Sequence, residues 1–167
     1  MSLPETPPVM IFAAGFGTRM GALTLDRPKP LVPVAGRPLI DHALDLLAGG
    51  GVRRVVVNTH YLGAQIARHL AAEMRMSIDL SPEDGELLET GGGLRHAAPL
   101  LGDGPVWTLN PDAIWRGPNP LKSVTGAVPG GARLLLVPRD RAIGHKGVGD
   151  FFLEPDGQLS RRGQADS

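Results

Sequence analysis

Gly15-Phe16-Gly17-Thr18-Arg19 directly follows an apolar run, Val9–Ala14, and sets two residues without side chains beside a guanidinium. Backbone N–H groups of such a loop, including those flanking Ala13 and Ala14, can approach phosphate oxygens closely, and the planar fork of Arg19 can bind them. A plain tight turn uses the same residues, so the motif alone leaves both readings open. It is not a Walker loop, because G-x-x-x-x-G-K-[ST] is absent. Met20 stands where a dinucleotide fingerprint has its third glycine. Further along, Lys29 lies between Pro28 and Pro30, whose rings restrict the backbone and deliver the ammonium on a preset stem. An exposed lysine in a proline-rich loop would look alike.

Three more segments could do chemistry. Asn110-Pro111-Asp112 closes the run Val106–Asn110 and puts a hard oxygen ligand at its end, or opens a turn. Glu89-Thr90-Gly91-Gly92-Gly93 offers bare backbone against which a flat base or ribose could lie, or a hinge. Asp150, in Gly149-Asp150-Phe151, is a loop carboxylate. His42, His60, His69, His96 and His145 show no ligand spacing with one another.

These groups need a scaffold that brings them together. Val9–Ala14 reads as a buried strand, and Phe16–Arg37 as a long proline-punctuated loop. Pro38 opens a helix whose Leu39, Ile40, Ala43, Leu44 and Leu47 recur at helical spacing until Gly49-Gly50-Gly51 stops it. Val52–Asn58 is a second strand, Leu62, Ile66, Leu70 and Met74 mark one face of a second helix, and Ser77–Ser81 alternates as a third strand. Thr90 is the expected N-cap of a helix running to Ala98, followed by strands at Val106–Asn110 and Arg133–Pro138. Glu154-Pro155-Asp156-Gly157 turns a hairpin between Phe151–Leu153 and the residues from Leu159. Strands alternating with helices predict an α/β fold with a doubly wound, mainly parallel, Rossmann-like sheet. Its ligands bind beyond the carboxyl ends of the strands.

The chain has 167 residues, 42% hydrophobic and 20% charged, which predicts one globular domain over 1–167. Lacking cysteine, it excludes a disulfide scaffold, a Cys-ligated metal and a thiol nucleophile. Seventeen basic residues balance seventeen acidic ones, which gives no footprint for nucleic acid or a membrane surface. Aromatic residues, at 4%, are too few for a base-stacking platform. The longest apolar runs, such as Leu134–Val137, fall far short of the roughly 18 residues of a spanning helix. Met1–Pro8 lacks the features of a signal peptide, so the cytoplasm is the expected location.

Taken together, Ala13-Ala14-Gly15-x-Gly17-Thr18-Arg19, Pro28-Lys29-Pro30-Leu31 and Pro33-Val34-x-Gly36-x-Pro38 resemble the signature of sugar-1-phosphate nucleotidyltransferases, over about 9–163. The resemblance implies that the glycine loop wraps a triphosphate, that Arg19 meets its outer phosphates, and that Lys29 neutralises charge at the reacting α-phosphate. Asn110-Pro111-Asp112 resembles the family's Asn-Gly-Asp. Asp112 is then the implied Mg²⁺ ligand and Asn110 faces the sugar, with Pro111 departing from the pattern. Leu88–Gly93 matches the Leu-Glu-Thr-Gly-Gly-Gly of the subgroup that makes UDP-N-acetylmuramic acid. This implies UTP and N-acetylmuramate 1-phosphate as substrates, with Asp150 reaching the sugar, in cell-wall sugar recycling. Alternatives are a glucose-1-phosphate thymidylyl- or uridylyltransferase, a mannose-1-phosphate guanylyltransferase, or, in another class, a noncatalytic nucleotide-binding module. The family's further metal-binding residue has no counterpart before Ser167, so the domain is expected to be incomplete at its C-terminus. Marginal stability, or self-association into a homo-oligomer, is expected to follow.

Overall fold

The computed structural model describes residues 6–163 except 86, 127 and 129. Strand β1 (Val9–Phe12) leads into the glycine loop, a 3-10 stretch Thr18–Thr24 bent at Gly21, and a 3-10 turn Lys29–Leu31. Next comes a two-residue hairpin, β2 (Pro33–Val34) with β3 (Arg37–Pro38). Ala35 and Gly36 at its tip both have positive φ, 51° and 79°, as a twist-matched hairpin turn requires. The segment read from sequence as a loop is thus made of short local structures.

Helix α1 (Leu39–Gly49) buries all five residues assigned to its apolar face. It is followed by β4 (Arg54–Thr59), α2 (Gly63–Leu70), β5 (Ser77–Pro82), α3 (Thr90–Leu101) and β6 (Trp107–Leu109). A second hairpin pairs β7 (Phe151–Leu153) with β8 (Leu159–Arg161). The large sheet runs β5-β4-β1-β6, all parallel.

Side-chain alternation divides the core into two layers. Val9 and Ile11 of β1 and Val55 and Val57 of β4 pack with Ile40, Leu44 and Leu47 of α1 and with Ile66 and Leu70 of α2. Met10 and Val56 face the other way, onto Ala97 and Leu101 of α3. The chain steps from β1 to β4 to β5, and α3 then carries it back across β1 to β6. Strand order therefore reverses at β1, which opens a crevice beyond the carboxyl ends of β1 and β6.

Two compact units divide the chain, Met1–Pro129 with the large sheet and three helices, and Gly130–Ser167 with the β7–β8 hairpin. The sequence reading takes 1–167 as one domain. Arg133–Pro138, expected as a strand, has no strand assignment among the described residues, and Leu134–Val137 are all exposed. An apolar run becomes a buried strand only where a neighbouring strand satisfies its backbone. The second helix stops at Leu70, short of Met74, which is 89% exposed. There the Glu73 carboxylate accepts from the backbone N–H of Arg75 (2.7 Å) and turns the chain outward. Thr90 is the first helical residue rather than the cap. Glu89 holds the cap position in extended conformation, without a side-chain cap bond.

An ionic cluster ties these elements to α1. Asp45 accepts from Arg37 (2.7 Å) and Arg75 (2.6 Å), and Arg75 also grips Glu73. The hydrogen bonds from Arg37 and then Arg75 hold the Asp45 carboxyl below its ordinary range, and Arg75 does the same for Glu73. Both carboxylates titrate lower folded than unfolded, so their contribution is present above the usual Asp and Glu range near pH 4 and lost as pH falls below it. Asp45→Asn should narrow the difference in stability between pH 7 and pH 3, read by denaturant melts at each pH. Ile66→Ala removes a fully enclosed side chain beneath the sheet and should cost about 2–5 kcal/mol in the same assay.

Candidate active site

A cavity of about 670 Å³ fills the crevice at the carboxyl ends of the strands. Residues 12–20 form its floor, Lys29 and Pro30 one side, 87–91 another, and Asn110–Asp112 the third. Of the residues singled out from sequence, Ala13, Ala14, Gly15, Gly17, Thr18, Arg19, Lys29, Glu89, Thr90, Gly91, Asn110 and Asp112 all line it. Gly92 does not. It lies exposed beside the wall, where a Cβ would sit 3.2 Å from that of Leu88. Asp150 belongs to the second compact unit.

The two glycines of the loop serve different needs. Gly17 has φ +66°, and a Cβ there would come within 3.0 Å of Lys29 Cβ and 3.1 Å of Thr24 Cγ2. Conformation and close packing both demand glycine, and the lysine stem lies directly against the loop as a result. A Cβ on Gly15 would meet nothing within 4 Å, so its bareness leaves cavity space open. Among the described residues no hydrogen bond engages the backbone N–H groups of Gly15, Phe16 and Gly17, which leaves three donors for an anion. The loop is braced from outside. Phe16 sits edge-on to His60, Tyr61 Oη donates to the Thr24 carbonyl (2.9 Å), and Thr24 Oγ1 donates to the Gly17 carbonyl (3.1 Å).

Lys29 and Asp112, 83 residues apart, meet across the cavity, with Nζ donating to Oδ2. Both side chains stay partly exposed. Each is the other's counter-ion, so a phosphate entering here would compete for the ammonium and free a carboxylate oxygen. Arg19 enters no ion pair among the described residues and keeps its guanidinium available.

Two buried polar residues were not identified by sequence reasoning as site residues. Asn58, at the end of β4, accepts from the backbone N–H of Ala13 through Oδ1 (2.7 Å) and donates through Nδ2 to Glu83 Oε1 (2.6 Å). The other Glu83 oxygen accepts from the backbone N–H of Leu88 (2.8 Å). Each of the two residues is 3% exposed. In the sequence Asn58 reads only as the last residue of a strand, and Glu83, beside Asp84 after a short strand, resembles any solvent-facing acid. Its position just beyond the carboxyl end of β5 was the available signal.

Comparison with known proteins fits this geometry. The model of the Nucleotidyl transferase family matches residues 8–138. The N-acetylmuramate alpha-1-phosphate uridylyltransferase of Caulobacter vibrioides is 42% identical over 162 residues, covering 89% of this chain and 65% of its own length. That of Neisseria meningitidis is 44% identical over 107 residues, 63% of this chain and 46% of its own. The mannose-1-phosphate guanylyltransferase catalytic subunit beta of Danio rerio is 38% identical over 63% of this chain and 30% of its own. This chain therefore spans about two thirds or less of these relatives. Among solved structures, HddC from Yersinia pseudotuberculosis complexed with GMP-PN aligns with a TM-score of 0.58 at 28% identity, over 64% of this chain and 48% of that one. UDP-glucose pyrophosphorylase from Acinetobacter baumanii shares the fold, with a TM-score of 0.58 at 20% identity over 65% of this chain and 46% of that one. A parallel sheet reversed at β1, a glycine loop at that reversal and a family match across most of the residues concerned place this chain in the nucleotidyl transferase family.

Proposed function

We propose that this chain carries the nucleotide-handling site of an enzyme that transfers UMP from UTP to N-acetylmuramate 1-phosphate. The observation that carries the reading is the meeting of Lys29 and Asp112 above a glycine loop with unpaired N–H groups. In the reaction, a phosphate oxygen of the sugar 1-phosphate forms a bond to the α-phosphorus of UTP. The bond from that phosphorus to the bridging oxygen breaks, and pyrophosphate leaves with the electron pair. Two anions must approach, so positioning and cationic groups carry most of the catalysis.

The family resemblance and the lining of the cavity together support a role for each residue. The N–H groups of Gly15, Phe16 and Gly17, with Ala13, Ala14 and Thr18 around them, cradle the triphosphate, and Arg19 takes its outer phosphates. Lys29 leaves Asp112 for the α-phosphate and neutralises the charge that builds there. Glu89, Thr90 and Gly91 form the wall for the base and ribose, with Gly92 beside it. Asn110 faces the sugar; for Asp150, which belongs to the other compact unit, the family resemblance alone supports a role. Among the described residues no cluster of three or more metal-binding side chains exists. The donor set still suits Mg²⁺, which keeps several waters and needs only one or two carboxylates beside substrate phosphates. Asp112 would hold the ion, which would supply further charge neutralisation at the phosphates. The choice of uridine rests on Leu88–Gly93 and on the names of the Caulobacter and Neisseria relatives. Cell-wall sugar recycling in the cytoplasm is the setting that this product implies.

Pyrophosphate release with Mg²⁺, crossing five nucleoside triphosphates with N-acetylmuramate, N-acetylglucosamine, glucose and mannose 1-phosphates, tests the reading. Release is expected with UTP and the muramate. Release with GTP and mannose 1-phosphate would keep Arg19, Lys29 and Asp112 in their roles but overturn the substrate. Binding without release would make the chain a noncatalytic nucleotide-binding module. Lys29→Ala should lower turnover by about 100- to 1,000-fold with the fold intact, and a loss below tenfold would remove Lys29 from the role given to it.

A further inference from the structure

Glu83 is a carboxylate enclosed at the edge of the cavity, and among the described residues no ion pair includes it. Burying an acid without a cation is costly unless strong donors face it. Here the donors are Asn58 Nδ2 and the N–H of Leu88, one on each oxygen. At its far end Asn58 accepts from the N–H of Ala13. The chain of bonds thus begins and ends on backbone donors from two walls of the same cavity, the exit of β1 and the segment 87–91.

That arrangement has a fixed polarity. With a backbone N–H at each end, the chain needs one amide to pass the bond along and one group that accepts twice. Asn58 cannot flip without setting its amide NH2 against the N–H of Ala13 and its oxygen against Glu83, whereas the carboxylate accepts through either oxygen. Gly93 closes the cluster, because a Cβ there would lie 2.7 Å from Glu83 Oε1 and 2.9 Å from Asn58 Nδ2. A Cβ on Gly91 would meet nothing within 4 Å, so bare backbone is required by packing at the third glycine of the run and not at the first. Asn58 borders the cavity and Glu83 does not, so Glu83 acts on a ligand only through its neighbours.

We propose that Glu83 is a positioning residue that, through Asn58, locks the phosphate-binding and base-binding walls at one spacing before nucleotide arrives; this rests on the reading of the cavity as a nucleotide site. A wall already held in place spares the ligand the cost of ordering it. Without the lock, Ala13 and Leu88 fluctuate separately and binding must restore their spacing.

Polarity supplies the test. Glu83→Gln and Asn58→Asp each break the chain of bonds with almost no change of volume. The double variant Asn58→Asp with Glu83→Gln restores it, because the carboxylate at position 58 then accepts twice and the amide at position 83 passes the bond on. Each single variant is expected to weaken UTP binding by roughly ten- to a hundredfold and to speed hydrogen exchange at the Ala13 and Leu88 amides. The double variant is expected to return both to within about threefold of the parent. Recovery of thermal stability without recovery of affinity would reduce Glu83 to a structural residue and overturn the proposal. So would single variants that change neither readout, or a double variant no better than the worse single one. If the parent binds none of the five nucleoside triphosphates, the functional reading fails by itself, and exchange at Ala13 and Leu88 still decides whether the lock exists.

Discussion

A central parallel strand covered by helices on both faces cannot carry a polar side chain along its length. Val9, Met10 and Ile11 are fully enclosed for this reason, and polar chemistry is displaced to the residues just after them. β1 is also the strand at which the strand order reverses, so the same constraint places that chemistry in the crevice between β1 and β6. The glycine loop, the Asp112 turn and the wall at 87–91 converge there because each follows a strand or enters a helix at the same edge of one sheet.

Apart from Arg19 and the N–H groups of the glycine loop, what collects at that edge is already paired. Lys29 and Asp112 neutralise each other, Glu83 is satisfied by an amide and a backbone N–H, and no buried side-chain polar atom among the described residues lacks a partner. The groups facing the opening differ from those behind it. Lys29 and Asp112 are partly exposed, and an entering anion can separate them, whereas Asn58 and Glu83 are sealed and hold their geometry. The proposed function gives this division a use, an exchangeable pair in front for an entering anion and fixed hydrogen bonds behind that hold the walls.

Much of this was legible in the sequence because it is written locally. The loop Gly15–Arg19, the proline-flanked Lys29, the turn at Asp112 and the stretch from Glu89 are contiguous motifs, and the five buried residues of α1 follow from helical spacing alone. Features that depend on partners were not legible. Leu134–Pro138 has the composition of a buried strand, yet among the described residues it enters no ladder. Leu70 and Met74 share a helical face in sequence, yet the turn held by Glu73 and Arg75 ends the helix between them. Asn58 and Glu83 lie 25 residues apart on adjacent strand ends, and only parallel pairing of β4 with β5 makes them neighbours. Gly92 seemed equivalent to Gly91, but the first turn of α3 rotates one toward the cavity and the other toward Leu88.

Under the proposed function the Lys29–Asp112 pair is a gate to a triphosphate site on the glycine loop. A crystal structure of the chain with UTP tests it most directly. The triphosphate is expected to lie against Gly15–Arg19, with Lys29 Nζ moved from Asp112 onto phosphate oxygens. A triphosphate bound elsewhere, such as the hollow lined by Arg27, Gln65 and His69, or one bound with the Lys29–Asp112 pair intact, would contradict it.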